Sequence, residues 1–284
     1  MKCLISYLYA AILAGAISCG LLFTYGLTTN LLQPAPTITI WVHGTKSTVR
    51  NIPFDTFKRF FDCKPGLNHA RTLCACHHHR QIAEVLIAHD PIRFPAEHFY
   101  LFGWSGKLSY QEREDTARIL YNEIKALIAR YKNQYWTVPK IRIITHSHGG
   151  NVALNLAKVK DITDTDFVID ELVLLACPVQ IKTVTFIKDP VFKKIYSLYS
   201  TRDFIQILDP QEVVNNLKEK RFPLFSQRKF PDQPNLRQIV VKRKKRAISH
   251  VEFMLEKFLT TLPTILNDEA STTPKPSEVL NILV

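Results

Sequence analysis

The chain has 284 residues, which is long enough to bury the core of a full domain and too long for a miniprotein held by disulfides. Apolar residues make up 46% of it and charged residues 22%, and this balance excludes a chain that is disordered throughout. The net charge of +12 favours negatively charged partners, namely an anionic membrane, nucleic acid or acidic substrates.

Residues 1–33 are dominated by apolar side chains. Residues 3–45 contain no Lys, Arg, Asp or Glu, and residues 4–32 exceed the roughly 20 apolar residues that a membrane-spanning helix needs. Lys2 and an A-x-A sequence at 14–16 also resemble a cleavable signal peptide, but the stretch would stay apolar after cleavage. We therefore predict a membrane anchor with the folded domain outside the cytoplasm, and a cleaved signal with secretion as the second choice.

Six apolar runs rich in β-branched residues end in turn or polar residues and predict buried strands. They cover residues 37–44, 97–104, 140–147, 171–178, 194–200 and 237–244. Helical spacing of apolar residues marks 117–131 and 151–159, and a third helix over 251–262 is expected to stop at Pro263. Strands that alternate with helices predict an α/β fold, with a mostly parallel sheet covered by helices on both faces. In such sheets functional groups collect at the C-terminal ends of the strands.

Residues 63–80 are loop-like and rich in cysteine and histidine. Cys63, Cys74, Cys76 and four histidines form the only metal-like cluster of the sequence, but the spacing lacks paired C-x-x-C units. A disulfide from Cys63 to Cys74 or to Cys76 explains these cysteines as well as a metal does, if the domain is outside the cytoplasm. We predict no metal site and leave the pairing open.

Two later segments depart from the alternation of strands and helices. Residues 205–236 contain several prolines and are predicted to form an insertion or a mobile loop. Residues 216–246 carry eleven basic and two acidic residues, which indicates either a solvated edge or a surface for anionic lipids. No nucleic-acid motif accompanies this charge, so nucleic acid is not expected as a partner. The last residues, 266–284, are predicted to form a flexible tail.

Ser147 lies where a predicted strand runs directly into a predicted helix. The sequence Thr145-His146-Ser147-His148-Gly149 is similar to the pattern G-x-S-x-G, in which small residues let the strand and the helix approach closely. Thr145 replaces the first glycine, and we expect some rearrangement to accommodate its bulk. A serine hydroxyl becomes a nucleophile only with a base, an orienting carboxylate and donors for the oxyanion.

The chain offers such groups after other predicted strands. Gly44 ends the first strand and allows a tight loop whose backbone N–H groups can face the serine. Asp203 follows the fifth strand, and His250 follows the sixth and precedes a helix. Asp209 is the rival carboxylate, but its place before Pro210 is explained by turn formation, and Asp203 lies nearer to its strand. Serine, aspartate and histidine thus come in that order, each at the end of a different strand.

These residues resemble the α/β-hydrolase superfamily, and within it the lipase and esterase branch. The resemblance spans about residues 37–265. It implies a serine hydrolase that cleaves carboxylic esters through an acyl-enzyme and needs no metal or organic cofactor. By position, the resemblance makes Ser147 the nucleophile, His250 the general base and Asp203 the orienting acid. It makes the backbone N–H groups of His148 and Thr45 the oxyanion donors, with motif support from His43, Gly44 and Gly149.

The predicted anchor and the basic stretch favour an ester or lipid substrate at a membrane. Residues 4–32 would hold the chain in the bilayer, and residues 216–246 would face an anionic lipid surface. Two alternatives stay open. The chain could be a membrane-tethered binding or scaffold protein on a hydrolase fold without turnover, or an acyltransferase or thioesterase with the same triad.

Overall fold

The structure is a computed structural model. It describes residues 35–45, 64–160 and 167–267, and the backbone of residues 278–282. The described residues do not include the predicted anchor over residues 1–33. They also do not include Cys63, which was proposed as one partner of a disulfide. Within the described ranges, no helix is both long enough and apolar enough to cross a membrane.

The described residues form nine strands and seven α-helices. The strands are β1 (Thr37–Val42), β2 (Gly66–His69), β3 (Phe99–Gly103), β4 (Lys140–His146), β5 (Glu171–Leu175), β6 (Ile195–Tyr199), β7 (Leu236–Arg243), β8 (Arg246–Ala247) and β9 (Glu278–Ile282). The helices are α1 (His78–His89), α2 (Tyr110–Tyr135), α3 (Gly149–Leu154), α4 (Leu156–Val159), α5 (Pro210–Lys218), α6 (Glu256–Leu259) and α7 (Leu262–Asn267). A 3-10 turn at His250–Met254 precedes α6.

The strands form a mixed, mostly parallel sheet in the order β2-β3-β1-β4-β5-β6-β7-β8, and β9 also pairs with β7. The β2 strand runs antiparallel to β3 and β8 runs antiparallel to β7, whereas the other pairs are parallel. All six predicted strands are present. Because β1, β4, β5, β6 and β7 are parallel, their C-terminal ends meet at one edge of the sheet.

Apolar side chains alternate across the sheet, so that both of its faces are buried. On one face Trp41 and Ile144 belong to a cluster with side chains of α1, α6 and α7. On the opposite face α3 contacts β1, β4 and β5. The main unit contains Thr37–Leu127 and the residues from Lys140 onward, while Ile128–Pro139, the end of α2 and the turn after it, belong to a small separate unit.

The structure contains regular elements in the segment 63–80, where the sequence predicted a loop. The β2 strand pairs with β3, and the backbone N–H of Leu67 donates to Glu123 of α2 at 2.6 Å. The α1 helix then begins with three histidines in its first turn or at its N-cap, which is an unusual start. Both elements depend on partners distant in sequence, so local patterns did not predict them.

A helix also lies inside the predicted loop over residues 205–236. The Asp209 carboxylate accepts the backbone N–H of Gln211 at 3.0 Å, and Pro210 occupies the first turn, so the cap and the proline together start α5. Near the C-terminus, Pro263 does not end a helix but lies in the first turn of α7, where a missing N–H costs nothing. Residues 278–282 of the predicted flexible tail form β9.

Candidate active site

Ser147 occupies a sharp turn between β4 and α3. Its φ of 54° lies in the left-handed region, which costs a residue with a side chain about 1 kcal/mol or more. Its N–H donates to the carbonyl of Leu175 at 2.9 Å, and its own carbonyl accepts the N–H of Gly150 at 2.9 Å. These bonds hold the strained turn that the sequence predicted for a nucleophile elbow.

The loop after β1 passes directly against this turn. A Cβ at Gly149 would lie 2.5 Å from the carbonyl oxygen of Val42 and 2.6 Å from that of His43. A Cβ at Gly44 would lie 2.8 Å from the Cβ of Ser147. All three distances are shorter than a real Cβ atom tolerates. Glycine is therefore required at both positions for the loop and the elbow to meet, which brings the backbone beyond Gly44 next to the serine.

Thr145, the departure from the glycine pattern, is accommodated within β4. The residue is fully buried, and its hydroxyl donates to the carbonyl of Val173 on the neighbouring strand at 3.1 Å. The extra polar atom is thus satisfied within the sheet, and the bulk of threonine does not leave an unpaired group near the elbow.

Asp203 and His250 meet although they are 47 residues apart in the chain. The Nδ1 of His250 lies 2.7 Å from Oδ2 of Asp203, and both side chains are almost completely buried. The other carboxylate oxygen of Asp203 accepts the N–H of Gln206 at 3.0 Å, and Arg228 donates to the Asp203 carbonyl at 2.8 Å. Because the ionised carboxylate only accepts, Nδ1 of His250 carries the proton and Nε2 is left as the basic nitrogen.

Asp209, the rival acid, is equally buried but serves other partners. Besides capping α5, its carboxylate accepts a hydrogen bond from the amide of Gln180. It also lies 3.9 Å from Nε2 of His148. The structure therefore brings Asp203, and not Asp209, to His250.

The two histidines that flank Ser147 are buried and electrically neutral. The His146 ring lies 4.7 Å from that of His250, and its Nε2 lies 3.0 Å from the His250 carbonyl oxygen. Burial, with a smaller contribution from His250, lowers the pKa of His146 to about 3. Burial, and next the positive charge of Arg113, holds the pKa of His148 well below its usual range. Neither imidazole adds a positive charge beside the elbow near neutral pH.

Two rings that the sequence did not assign to the active site pack against the loop after β1. The His43 ring stacks between His79 of α1, with centroids 5.2 Å apart, and Trp104, at 5.6 Å. The indole N–H of Trp104 donates to the His43 carbonyl at 2.8 Å, and Nδ1 of His43 lies 2.7 Å from the Gly44 carbonyl oxygen. This packing holds the loop residues His43 and Gly44, which lead to Thr45. Trp104 could have been found from its place at the end of a predicted strand, whereas His79 belongs to a helix that the sequence did not predict.

The described residues hold no group of three or more His, Cys, Asp or Glu side chains arranged to bind a metal ion. Cys74 and Cys76 are exposed and have free thiols. Cys177 is buried at the end of β5, and burial raises the pKa of its thiol, which makes it a poor nucleophile.

No protein-family model matches the chain, and no curated protein matches its sequence. Among solved structures the chain is similar to the esterase PE8, with 10% identity over 83% of this chain and 93% of that one, at a TM-score of 0.41. It is also similar to a hormone-sensitive lipase from a metagenome library, with 13% identity, coverage of 87% and 68%, and a TM-score of 0.37.

A third solved structure is the carboxylesterase CesB from Bacillus subtilis, with 9% identity, coverage of 88% and 76%, and a TM-score of 0.30. All three are esterases or lipases by name. The α/β-hydrolase-like fold of this chain is seen in its own sheet order and in the strand–serine–helix turn at Ser147.

Proposed function

We propose that the chain is a serine hydrolase that cleaves carboxylic esters through an acyl-enzyme intermediate. One observation carries this proposal: His250 and Asp203 form a buried pair at 2.7 Å, at the same sheet edge as the strained elbow of Ser147. A buried aspartate that holds one imidazole nitrogen leaves the other as a general base.

In the proposed first half-reaction, the hydroxyl oxygen of Ser147 attacks the ester carbonyl carbon, and Nε2 of His250 accepts the hydroxyl proton. The carbonyl oxygen becomes an oxyanion as its π bond breaks. The negative charge of Asp203 stabilises the imidazolium that forms. When the tetrahedral intermediate collapses, the bond to the alcohol breaks and His250 gives its proton to the departing oxygen.

Backbone N–H groups of His148 and Thr45 are proposed to stabilise the oxyanion. His148 directly follows the nucleophile in the elbow, and the close packing of Gly44 against Ser147 brings the backbone of Thr45 to the same place. The Thr45 hydroxyl is buried and finds no hydrogen-bond partner among the described residues, which makes it a third candidate donor.

In the second half-reaction, a water molecule replaces the alcohol. His250 takes a proton from the water, the resulting hydroxide attacks the acyl carbon, and Ser147 leaves with the proton returned by His250. Atoms and charges balance with one ester and one water consumed and one acid and one alcohol formed. An alcohol or thiol acceptor in place of water would make the same site an acyltransferase.

The proposed substrate is a lipid ester, and the proposed location is a membrane with the catalytic domain outside the cytoplasm. The support is the apolar stretch at 4–32, which is long enough to anchor the chain, together with the excess of basic residues in 216–246.

A fluorophosphonate probe tests the proposed function directly, because it reacts only with an activated serine. We expect the wild-type chain to be labelled on one serine and Ser147→Ala to be unlabelled, with Thr145→Ser as a matched control that keeps its label. If the folded wild type is not labelled, the chain is not a serine hydrolase and the scaffold alternative stands.

Replacement of Thr45 by valine removes one hydroxyl and keeps the shape and the backbone N–H. If the hydroxyl donates to the oxyanion, kcat for a soluble ester falls about 10²-fold with little change in KM. Thr45→Ser, which keeps the hydroxyl, is expected to retain most of the activity. An equal loss in both variants would place the role of Thr45 in packing instead.

A further inference from the structure

The excursion between β6 and β7 displays an unusual number of apolar side chains. We define residues 202–229 as the docking segment; it is described without a gap. Phe222 is 83% exposed and Phe204 is 60% exposed, values expected for charged rather than aromatic residues. The segment carries seven exposed large apolar residues, namely Phe204, Ile205, Leu208, Val214, Leu217, Phe222 and Phe225.

The docking segment is held in place by side-chain hydrogen bonds to its own backbone. Ser226 donates to the carbonyl of Gln206 at 2.8 Å, and Asn216 donates to that of Pro223 at 2.9 Å. Arg228 donates to the carbonyl of Asp203, where the segment begins. These bonds tie its two ends and its helix together, so that the apolar side chains are presented by a folded unit and not by a loose loop.

The α5 helix in the middle of this segment buries polar side chains and exposes apolar ones. Glu212 and Asn216 are buried beneath it, and Tyr110 donates to the Glu212 carboxylate at 2.9 Å. Val214 and Leu217 face outward. A helix on the surface of a protein in water normally buries its apolar residues and exposes the polar ones. The reverse arrangement is stable where the outer face meets an apolar medium or partner.

Charge is segregated in the same segment. The acids Asp203, Asp209 and Glu212 are each about 1% exposed, whereas Glu219 lies at the surface in an ion pair with Arg221 at 2.9 Å. Six basic residues belong to the segment: Arg202, Lys218, Lys220, Arg221, Arg228 and Lys229. The fold thus buries three of the four acidic residues of the segment and exposes Arg202, Lys218, Lys220 and Lys229.

The second basic cluster, the hairpin between β7 and β8, is partly paired with an acidic residue. Both Arg243 and Arg246 lie within ion-pair distance of Glu252, at 3.6 and 2.9 Å. Part of the basic stretch that the sequence marked at 216–246 is therefore neutralised within the protein. Lys244 and Lys245 in the turn of this hairpin are exposed, as are Lys218, Lys220 and Lys229 of the docking segment.

We propose that residues 202–229 dock on the surface of an anionic lipid bilayer, with the exposed apolar side chains inserted among the lipids and the lysines and arginines at the phosphates. Amphipathic elements bind at this depth, a few ångströms below the headgroups, and each basic residue adds about 1 kcal/mol near an anionic surface. A protein partner or a second copy would bury the apolar side chains, but would not by itself explain why the segment buries its acidic residues and exposes its basic ones.

If the chain is an ester hydrolase as proposed above, docking would also place its active site at the membrane. Asp203 starts the docking segment and contacts His250. A bilayer in contact with the segment would therefore meet the protein near the proposed catalytic pair, where lipid esters are delivered.

Hydrogen–deuterium exchange of the full chain, with vesicles of phosphatidylcholine alone or with roughly one third phosphatidylglycerol, tests the docking. We expect amides in 204–225 to exchange about tenfold more slowly with the anionic vesicles, and the protection to weaken as salt is added. Because protection is read segment by segment, attachment through any other part of the chain does not mimic the result.

Variants then separate the two contributions of the docking segment. Phe222→Ser with Leu217→Ser should abolish the roughly tenfold protection, and Lys218→Gln with Lys220→Gln should lower it by about fivefold. Ile119→Ser, an exposed apolar residue of α2, is the matched control and should leave it unchanged. Thermal unfolding shows whether each variant is folded.

The outcomes separate docking from catalysis. Ser147→Ala should be protected as the wild type is, so loss of hydrolysis and loss of docking are read independently. The proposal is overturned if the segment stays unprotected while the chain is bound to the vesicles. It is also overturned if protection is equal on neutral vesicles, or if it arises without vesicles as the protein concentration rises, which would indicate a second copy as the occupant.

Discussion

Asp203→Asn is expected to lower kcat/KM for a soluble ester by about 10⁴-fold. The reason lies in the two bonds of the carboxylate. Oδ1 accepts the N–H of Gln206, so an asparagine must keep its oxygen there and turn its NH₂ group toward His250. That group is a donor, and it would force Nδ1 of His250 to accept and Nε2 to hold the proton. The imidazole would then be in the wrong tautomer to act as a base.

Asp209→Asn is the matched control, since it replaces an equally buried aspartate that does not contact His250. Asparagine there would meet the amide of Gln180, and we expect a loss of about 1–3 kcal/mol in the free energy of unfolding. The activity of the folded fraction should stay within about tenfold of the wild type. Steady-state kinetics and urea unfolding of both variants distinguish a loss of activity from a loss of stability. An undiminished rate in Asp203→Asn would reject the assigned acid.

The second large effect expected is a loss of stability in mild acid. Burial lowers the pKa of His146 to about 3 and holds those of His79 and His148 well below the usual 6.5. In the unfolded chain these side chains regain ordinary pKa values, so below pH 6.5 the unfolded state binds more protons than the folded state. The stability that depends on these neutral histidines is therefore fully present above pH 6.5 and is lost progressively as the pH falls below 6.5.

At pH 5.5 each of these histidines is expected to cost about 1 kcal/mol, and the three together about 3–4 kcal/mol. His78 and His98 are less buried, and their pKa values shift in the same direction. A loss of this size is a large share of the 5–15 kcal/mol that typically stabilises a domain.

Urea unfolding between pH 7.5 and 5.5 measures this loss of stability. In His146→Gln, which can still donate to the His250 carbonyl, the dependence on pH should fall by about 1 kcal/mol per pH unit. The rest of the pH dependence should persist in this variant, because it comes from the other buried histidines. Stability that does not change down to pH 5.5 would mean that these side chains are protonated in the folded protein.

Much of the fold follows from local sequence. The strands β1, β4 and β5 are rich in Ile, Val, Leu and Thr, as expected for parallel strands that are buried on both faces. The turn at Ser147 could also be predicted locally, because a strand, a serine followed two residues later by glycine, and a helix come in succession. Chain order then limits the acid and the base to a few residues.

Other features depend on contacts between distant parts of the chain. The choice of Asp203 over Asp209 was made from distance to a strand end, but the contact itself spans 47 residues. Asp209 is bound by Gln180, 29 residues away, which no local pattern indicates. The stack of His79 on His43 requires α1, whose start of three histidines is not typical of a helix.

The net charge and its concentration late in the chain are properties of the sequence alone. Which charges reach the surface is decided by the tertiary structure, since burial depends on partners that folding brings together. Oε1 of the buried Glu212 of α5 accepts hydrogen bonds from Tyr110, a residue 102 positions away, and from the backbone N–H of Ile181, and these contacts hold the polar side of the helix inward. Local patterns specify strands and turns because those depend on neighbouring residues, whereas the site and the surface around it depend on long-range packing.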